Sequence, residues 1–275
     1  VPLQLIDAAF GDSPGAFDVS PAAFPLGPDN VLQARWFRAV ALGGLGRYAA
    51  AAADLRYLTR GPAPAAMRSL AFSATASHLR QCGQHRIALA WDGRAVSAAD
   101  DAVSLADALV GLAADNLGRG EFTAAGRLLA RAAEVDPAAS GAASADDPWW
   151  RSGRVTLRRQ WVGAELALYS GDSATARAIV EQMDADTPSL RHRLKTVLIG
   201  AATAAASGDA GEATVMAQEV FGTSHEHRQR PLQWAAAMLL RSLDPDGPWV
   251  RAVNTLSSWM YVPEVGLHRA VGAGR

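Results

Sequence analysis

Cysteine and lysine are almost missing: Cys82 and Lys195 are the only ones in 275 residues. A single thiol excludes an internal disulfide and a thiolate-rich zinc site. Neither sign of charge predominates, with 26 basic residues against 27 acidic ones. The balance holds in each half, with 12 and 13 in residues 1–137 and 14 and 14 in residues 138–275. A general nucleic-acid binder carries a basic excess, so nucleic acid is not an expected partner. No apolar run approaches the roughly 18 residues of a membrane span. The opening segment, Val-Pro-Leu-Gln-Leu-Ile-Asp, lacks the basic n-region of a signal peptide. A soluble cytoplasmic protein without membrane insertion is therefore expected. The preference for arginine, with 59 alanines, matches the codon bias of a GC-rich bacterium and carries no functional weight. No Gly-x-Gly-x-x-Gly, Walker-type loop, Gly-x-Ser-x-Gly or His-Glu-x-x-His occurs. Asp100-Asp101 and Asp146-Asp147 read as a helix start and a linker, not as paired catalytic carboxylates. His225-Glu226-His227 suits neither one helix face nor a familiar metal loop, and a solvated loop is expected there. No enzyme, cofactor or metal is expected.

What the chain does have is a register. Gly46, Gly83, Gly120, Gly171 and Gly208 each follow an alanine by seven residues: Ala39, Ala76, Ala113, Ala164 and Ala201. Each also precedes an alanine by five: Ala51, Ala88, Ala125, Ala176 and Ala213. Three of the four spacings are 37 residues, and the fourth is 51, with residues 138–151 making up the difference. A fixed period of this length marks stacked repeats. Where two antiparallel helices cross closely only small side chains fit, and glycine takes the positive φ of a helix end at no steric cost.

Apolar spacing of three or four residues predicts helix pairs over 30–45 and 47–59, 65–81 and 84–98, 101–117 and 121–135, 150–169 and 173–185, and 189–206 and 210–221. A degenerate sixth pair is predicted over 229–243 and 248–261, with Pro245 in place of the glycine. Asp136-Pro137 and Thr187-Pro188 are helix stops. Residues 1–28 carry Pro14, Pro21, Pro25 and Pro28, and an extended arm is expected. Its Phe10, Phe17, Phe24 and Leu26 predict that it docks on the repeats. The domain reading is thus arm 1–28, repeats one to three over 29–137, a linker or hinge over 138–148, repeats four to six over 149–262, and a tail over 263–275.

The residue two after the glycine is Tyr48, His85 or Phe122 in the first three units, a ring that would fill the wedge to the next unit. With Ala113, Gly120, Phe122, Ala125, Ala132 and Pro137 in unit three, the pattern resembles the tetratricopeptide repeat. The period of 37 is slightly long for that family, and units five and six lack its aromatic and proline marks. The resemblance spans roughly residues 30–260. It implies an all-α solenoid of about six antiparallel helix pairs, a right-handed superhelix with a concave groove lined by the first helices. It also implies a module that binds other proteins.

The first helices of units four to six, with their flanks, hold ten basic residues against two acidic ones. Most of these cations lie near helix starts, where the helix dipole disfavours them by about 0.3–1 kcal/mol. Two readings stand: pairing with acids of the second helices and turns (Asp172, Glu181, Asp184, Asp186, Asp209, Glu212, Glu219), or a basic strip for an acidic protein segment. Arg154, Arg158, Arg191 and Lys195 form the centre of that strip, beside Glu165. Trp36 and Trp161 each lie ten residues before their glycine, either as anchors for a partner or buried in the stack. Unit two puts Ser73 there, followed along the same face by Ser77, Arg80 and Gln81. The expected function is a non-catalytic adaptor that binds a protein or peptide in its groove. The alternative is a regulatory sensor whose groove takes a small peptide or metabolite, and a deep enclosed pocket with convergent arginines would favour it.

Overall fold

The computed structural model describes residues 2–16, 18–20, 25–26, 31–136, 146–184 and 186–260. Phe17 and Phe24, Pro21 and Pro28, most of the linker, the tail and the Trp259 side chain lie outside the described residues. Among those described, all regular structure is helical. The helices are α1 (Leu3–Phe10), α2 (Val31–Gly44), α3 (Tyr48–Arg60), α4 (Ala65–Gln81), α5 (His85–Ala98), α6 (Ala102–Leu117), α7 (Phe122–Val135), α8 (Ser152–Tyr169), α9 (Ser173–Glu181), α10 (Leu190–Ala206), α11 (Ala210–Glu226), α12 (Arg230–Leu243) and α13 (Trp249–Met260). Each packs on the next in sequence, α7 on α8 across the linker included. The even-numbered helices also pack on one another in order, α2 on α4, α4 on α6, and so on to α12.

The register has a common structural cause. All five glycines have positive φ, from 72° to 89°. In each case the N–H of the following residue donates to the carbonyl four residues before the glycine: Arg47 to Leu42, Gln84 to Leu79, Glu121 to Asn116, Asp172 to Ala167 and Asp209 to Ala204. This is the left-handed helix stop that satisfies an orphan carbonyl and turns the chain. A sixth copy joins α11 to α12, where Arg228 adopts φ 56° and the Gln229 N–H donates to Ser224. All ten alanines of the register are wholly buried. Tyr48 fills its wedge, its Oη donating to Gln81 of the next unit at 3.0 Å, whereas Phe122 stays exposed and stacks on the exposed Tyr169 of unit four. His85 presses on Gly118, leaving no room there for a Cβ.

Four expectations need correction. The arm begins as a helix, α1, because its first proline after Pro2 is Pro14 and the run Leu-Gln-Leu-Ile-Asp-Ala-Ala-Phe carries an apolar face; Leu5, Ala8, Ala9 and Phe10 are buried. Helix α9 stops at Glu181, four residues early, and Met183 turns into the core. Helix α11 extends through Glu226, so His225 and Glu226 belong to a helix end, where the His225 ring meets Gln233 Nε2 at 3.2 Å. Trp149 and Trp150 form a turn before α8 and pack towards the first unit, against Phe10, Trp36 and Phe37.

The described part of the arm is docked, as its phenylalanines predict. Phe10 inserts among Trp36, Phe37, Trp149 and His192, with ring centroids 5.7–6.4 Å away. The Leu190 N–H donates to the Gly11 carbonyl, Arg193 pairs with Asp12, and Gln229 reaches the Pro14 carbonyl. The arm thereby ties the first helix pair to the fifth and sixth. Burial of a Phe10-sized side chain is worth about 1.5–3 kcal/mol, which explains why this segment lies down rather than extending into water.

Candidate functional site

A cavity of about 320 Å³ lies among the first helices of all six pairs. Its walls are α2, α4, α6, α8, α10 and α12, with Phe10 of α1 also lining it, and among the described residues no second helix contributes. All nine residues singled out from the sequence face it. Trp36 comes from α2, Arg80 and Gln81 from α4, and Arg154, Arg158, Trp161 and Glu165 from α8, with Arg191 and Lys195 from α10. They converge because repeat positions recur: Arg154 and Arg191 each lie 17 residues before their glycine, and Arg158 and Lys195 each lie 13 before. Trp36 and Trp161 are buried, 2% and 9% exposed, and each indole N–H is satisfied within the chain. Trp36 donates to the Leu70 carbonyl at 3.4 Å and Trp161 to Thr196 Oγ1 at 2.9 Å. Both indoles also border the cavity, Trp161 with His192 stacked on it and Trp36 packed among Phe10, Phe37 and Trp150.

Among the described residues, the cations of α8 and α10 form no ion pair with Asp172, Glu181, Asp184, Asp186, Asp209, Glu212 or Glu219. Asp172 and Asp209 instead cap their own helices, accepting from the N–H groups of Thr175 and Glu212. The cations pair with residues of neighbouring first helices, loops and the arm. Asp107 of α6 accepts from Arg154 at 2.8 Å and from Arg158. Lys195 reaches Glu165 at 2.6 Å. Arg159 lies 3.8 Å from Asp136, and Arg151 3.6 Å from both Asp101 and Asp147. First helices stand side by side, so the long side chains of α8 and α10 meet partners on α6 and on each other, whereas Arg35 and Arg38 of α2 and Arg80 of α4 do reach second-helix acids, Asp54 and Asp92.

Behind Arg80 lies a second charged cluster. Arg80 donates to Asp92 of α5 at 2.5 Å, to Asp115 of α6 at 2.8 Å and to the Gly111 carbonyl. Ser73 Oγ also donates to Asp92. Gly111 is required here, since a Cβ would lie 2.4 Å from the Asp92 carboxylate. Burial raises the Asp92 pKa to about 7 against the pull of Arg80. Asp115 is raised too, again by burial. For Arg80, burial opposes the charge but the two carboxylates outweigh it and hold the pKa above its ordinary value.

The arginines of α8 and α10 show the opposite balance. Burial pulls Arg154, Arg158 and Arg191 down to about 10, so all three stay charged at neutral pH. Arg191 is pushed further down by Arg154 and Arg158, and its guanidinium donates only to main-chain carbonyls, Val40 at 3.0 Å and Ala9 at 3.3 Å. His192 is held well below the ordinary histidine range by burial and then by these three cations. It is neutral, stacked on Trp161, with Ser189 Oγ 2.8 Å from Nδ1.

Asp107, His78, His192 and Phe10 line the site without having been singled out from the sequence. Asp107 carried a usable signal, since it lies 13 residues before Gly120, in register with Arg158 and Lys195. Phe10 carried none, because its place depends on the arm folding back. Among the described residues no group of three His, Cys, Asp or Glu side chains is arranged to hold a metal, and no helix is long and apolar enough to cross a membrane. Comparison with protein-family models, with curated proteins and with solved structures finds no match to this chain.

Proposed function

We propose that the chain is a tetratricopeptide-like repeat, wound so that its first helices surround a half-open pocket, and that it works as a regulatory sensor of a small molecule. The observation that carries this reading is the convergence of all six first helices, with four arginines, on one cavity. An adaptor gripping an extended acidic segment needs its basic strip open to solvent. Arg154 is only 7% exposed, and Asp107 already engages both Arg154 and Arg158. A volume of about 320 Å³ falls at the small end of the range of ligand cavities, about 300–1,000 Å³. Binding there stabilises the native state by mass action, and because the walls come from both ends of the chain, it bears on how those ends meet.

The test is a thermal-shift screen of the full chain against a library of charged and neutral small metabolites. Ser77→Phe, which places a ring into the cavity from α4, is run in parallel. The expected result is a hit that raises the wild-type midpoint and has no effect on the variant. Hits that act equally on both proteins would remove the pocket from consideration.

A further inference from the structure

The charges around the cavity do not balance. Five cationic side chains border it: Arg80, Arg154, Arg158, Arg191 and Lys195. Four carboxylates meet them: Asp92 and Asp115 on Arg80, Asp107 shared by Arg154 and Arg158, and Glu165 on Lys195. Arg191 has no carboxylate within ion-pair distance among the described residues. The deficit falls on one side, on α8 and α10, where Arg154 and Arg191 occupy equivalent positions of successive repeats. A buried cation without a counter-charge is costly, and proteins relieve that cost by pairing. The high pKa of Asp92 widens the excess, because its charge is incomplete near neutrality. The same wall is apolar between the charges, with Trp36, Trp161, Leu198 and Leu232 facing the space.

We propose that the cavity takes a small organic anion, its carboxylate or phosphate group seated among Arg191, Arg154 and Arg158 and its apolar body against Trp36 and Trp161. This rests on the reading of the cavity as a ligand pocket and specifies the ligand's chemistry. Arginine suits the role because its planar fork gives paired hydrogen bonds to carboxylate or phosphate oxygens. Phe10 and the Ala9 carbonyl touch the same Arg191, at 5.9 Å from the ring centroid and 3.3 Å from the oxygen. An anion that draws Arg191 inward therefore loosens a bond that holds the arm.

The experiment is calorimetric titration of the full chain with sodium 1-naphthoate and with its neutral isostere 1-naphthamide, at fixed ionic strength. The expected result is at least tenfold tighter binding of the naphthoate. Arg191→Gln is expected to remove that preference and Arg191→Lys to keep most of it. Arg191 also bonds the main chain, so Arg158→Gln provides a second variant; it leaves Asp107 paired through Arg154 and is expected to weaken naphthoate alone. Melting in sodium phosphate against sodium chloride separates the anionic head from the apolar body, with a phosphate-specific rise expected in the wild type and lost in Arg158→Gln. Equal affinity for the two naphthyl compounds, both lost in Ser77→Phe, would overturn the anion site and leave the pocket reading standing. So would binding of neither compound when the metabolite screen yields neutral ligands. Unchanged naphthoate affinity in a folded Arg158→Gln protein would also overturn the proposal.

Discussion

Arg191 Nη1 lies 3.0 Å from the main-chain oxygen of Val40, although 151 residues separate them. The bond joins α10 to α2, so the fifth helix pair meets the first. Nearby, Gly46 lies against Arg230 and Pro231 at the start of α12. Arg191 fits there because Gly44 has no side chain; a Cβ on Gly44 would sit 2.8 Å from Nη1. The cavity is bordered on one side by this meeting of ends, with Phe10 packed beside it.

Phe10→Ala is expected to destabilise the chain by about 3–5 kcal/mol, the usual cost of truncating a buried aromatic. Phe10 packs on Trp36 and Trp149, so tryptophan emission should shift to the red in the folded variant. Urea unfolding followed by fluorescence checks both outcomes. A variant as stable as the wild type would mean that the arm is not held by Phe10.

Arg228→Gly is expected to stabilise. Arg228 is the only described non-glycine residue with positive φ, a conformation that costs an L-residue roughly 1–2 kcal/mol. Glycine removes that strain and gives back part of it as unfolded-chain entropy, leaving a net gain of about 0.5–1 kcal/mol. The reverse change, Gly120→Ala, adds the strain to a site at φ 78° with open space around it, and should cost about 1–2 kcal/mol. Denaturant midpoints of the two variants should move in opposite directions.

Ala113→Leu and Ala125→Leu should each destabilise by about 1–3 kcal/mol through overpacking of the α6–α7 crossing. Both alanines are wholly buried, in one cluster with Leu109 and Val162. Melting midpoints equal to wild type in both variants would show that the crossing tolerates larger side chains.

Asp92 should make stability depend on pH. Its pKa is raised from 3.8 to about 7 by burial, so the folded chain holds the proton more tightly than the unfolded one. Its contribution is therefore fully present below about pH 4 and is lost as pH rises to about 7. His78 works the other way: burial lowers it to about 3, so its contribution is lost as pH falls from 6.5 towards 3. Asp92→Asn removes only the first effect. The stability of wild type relative to this variant should fall as pH is raised from 4 to 7, and a flat difference would show that Asp92 is ionised throughout.

Much of the architecture is legible in the sequence, for a local reason. A glycine at a left-handed helix stop and alanines at the crossing are demands of the backbone itself, and they recur with every unit. Side-chain partners were less legible. The pairing of Arg154 and Arg158 with Asp107 spans the linker and depends on how units three and four are set side by side. Arg193 with Asp12 depends on the arm turning back. The helical start of that arm was obscured by the prolines that follow it, although they begin only at Pro14.

The sequence by itself determined the helix pairs, their turns and the nine residues that share one wall, because repeat position places a side chain on a given face whatever its neighbours do. How far that wall curves around a cavity was decided by tertiary structure alone. The contacts that settle it join residues far apart in the chain, and no local pattern records them. Here Arg191 of α10 reaches α2, the start of α12 lies against Gly46, and the arm packs at that meeting of ends. A strip of arginines that reads as exposed in one dimension is thereby turned inward, where burial and a shortage of carboxylates set its chemistry.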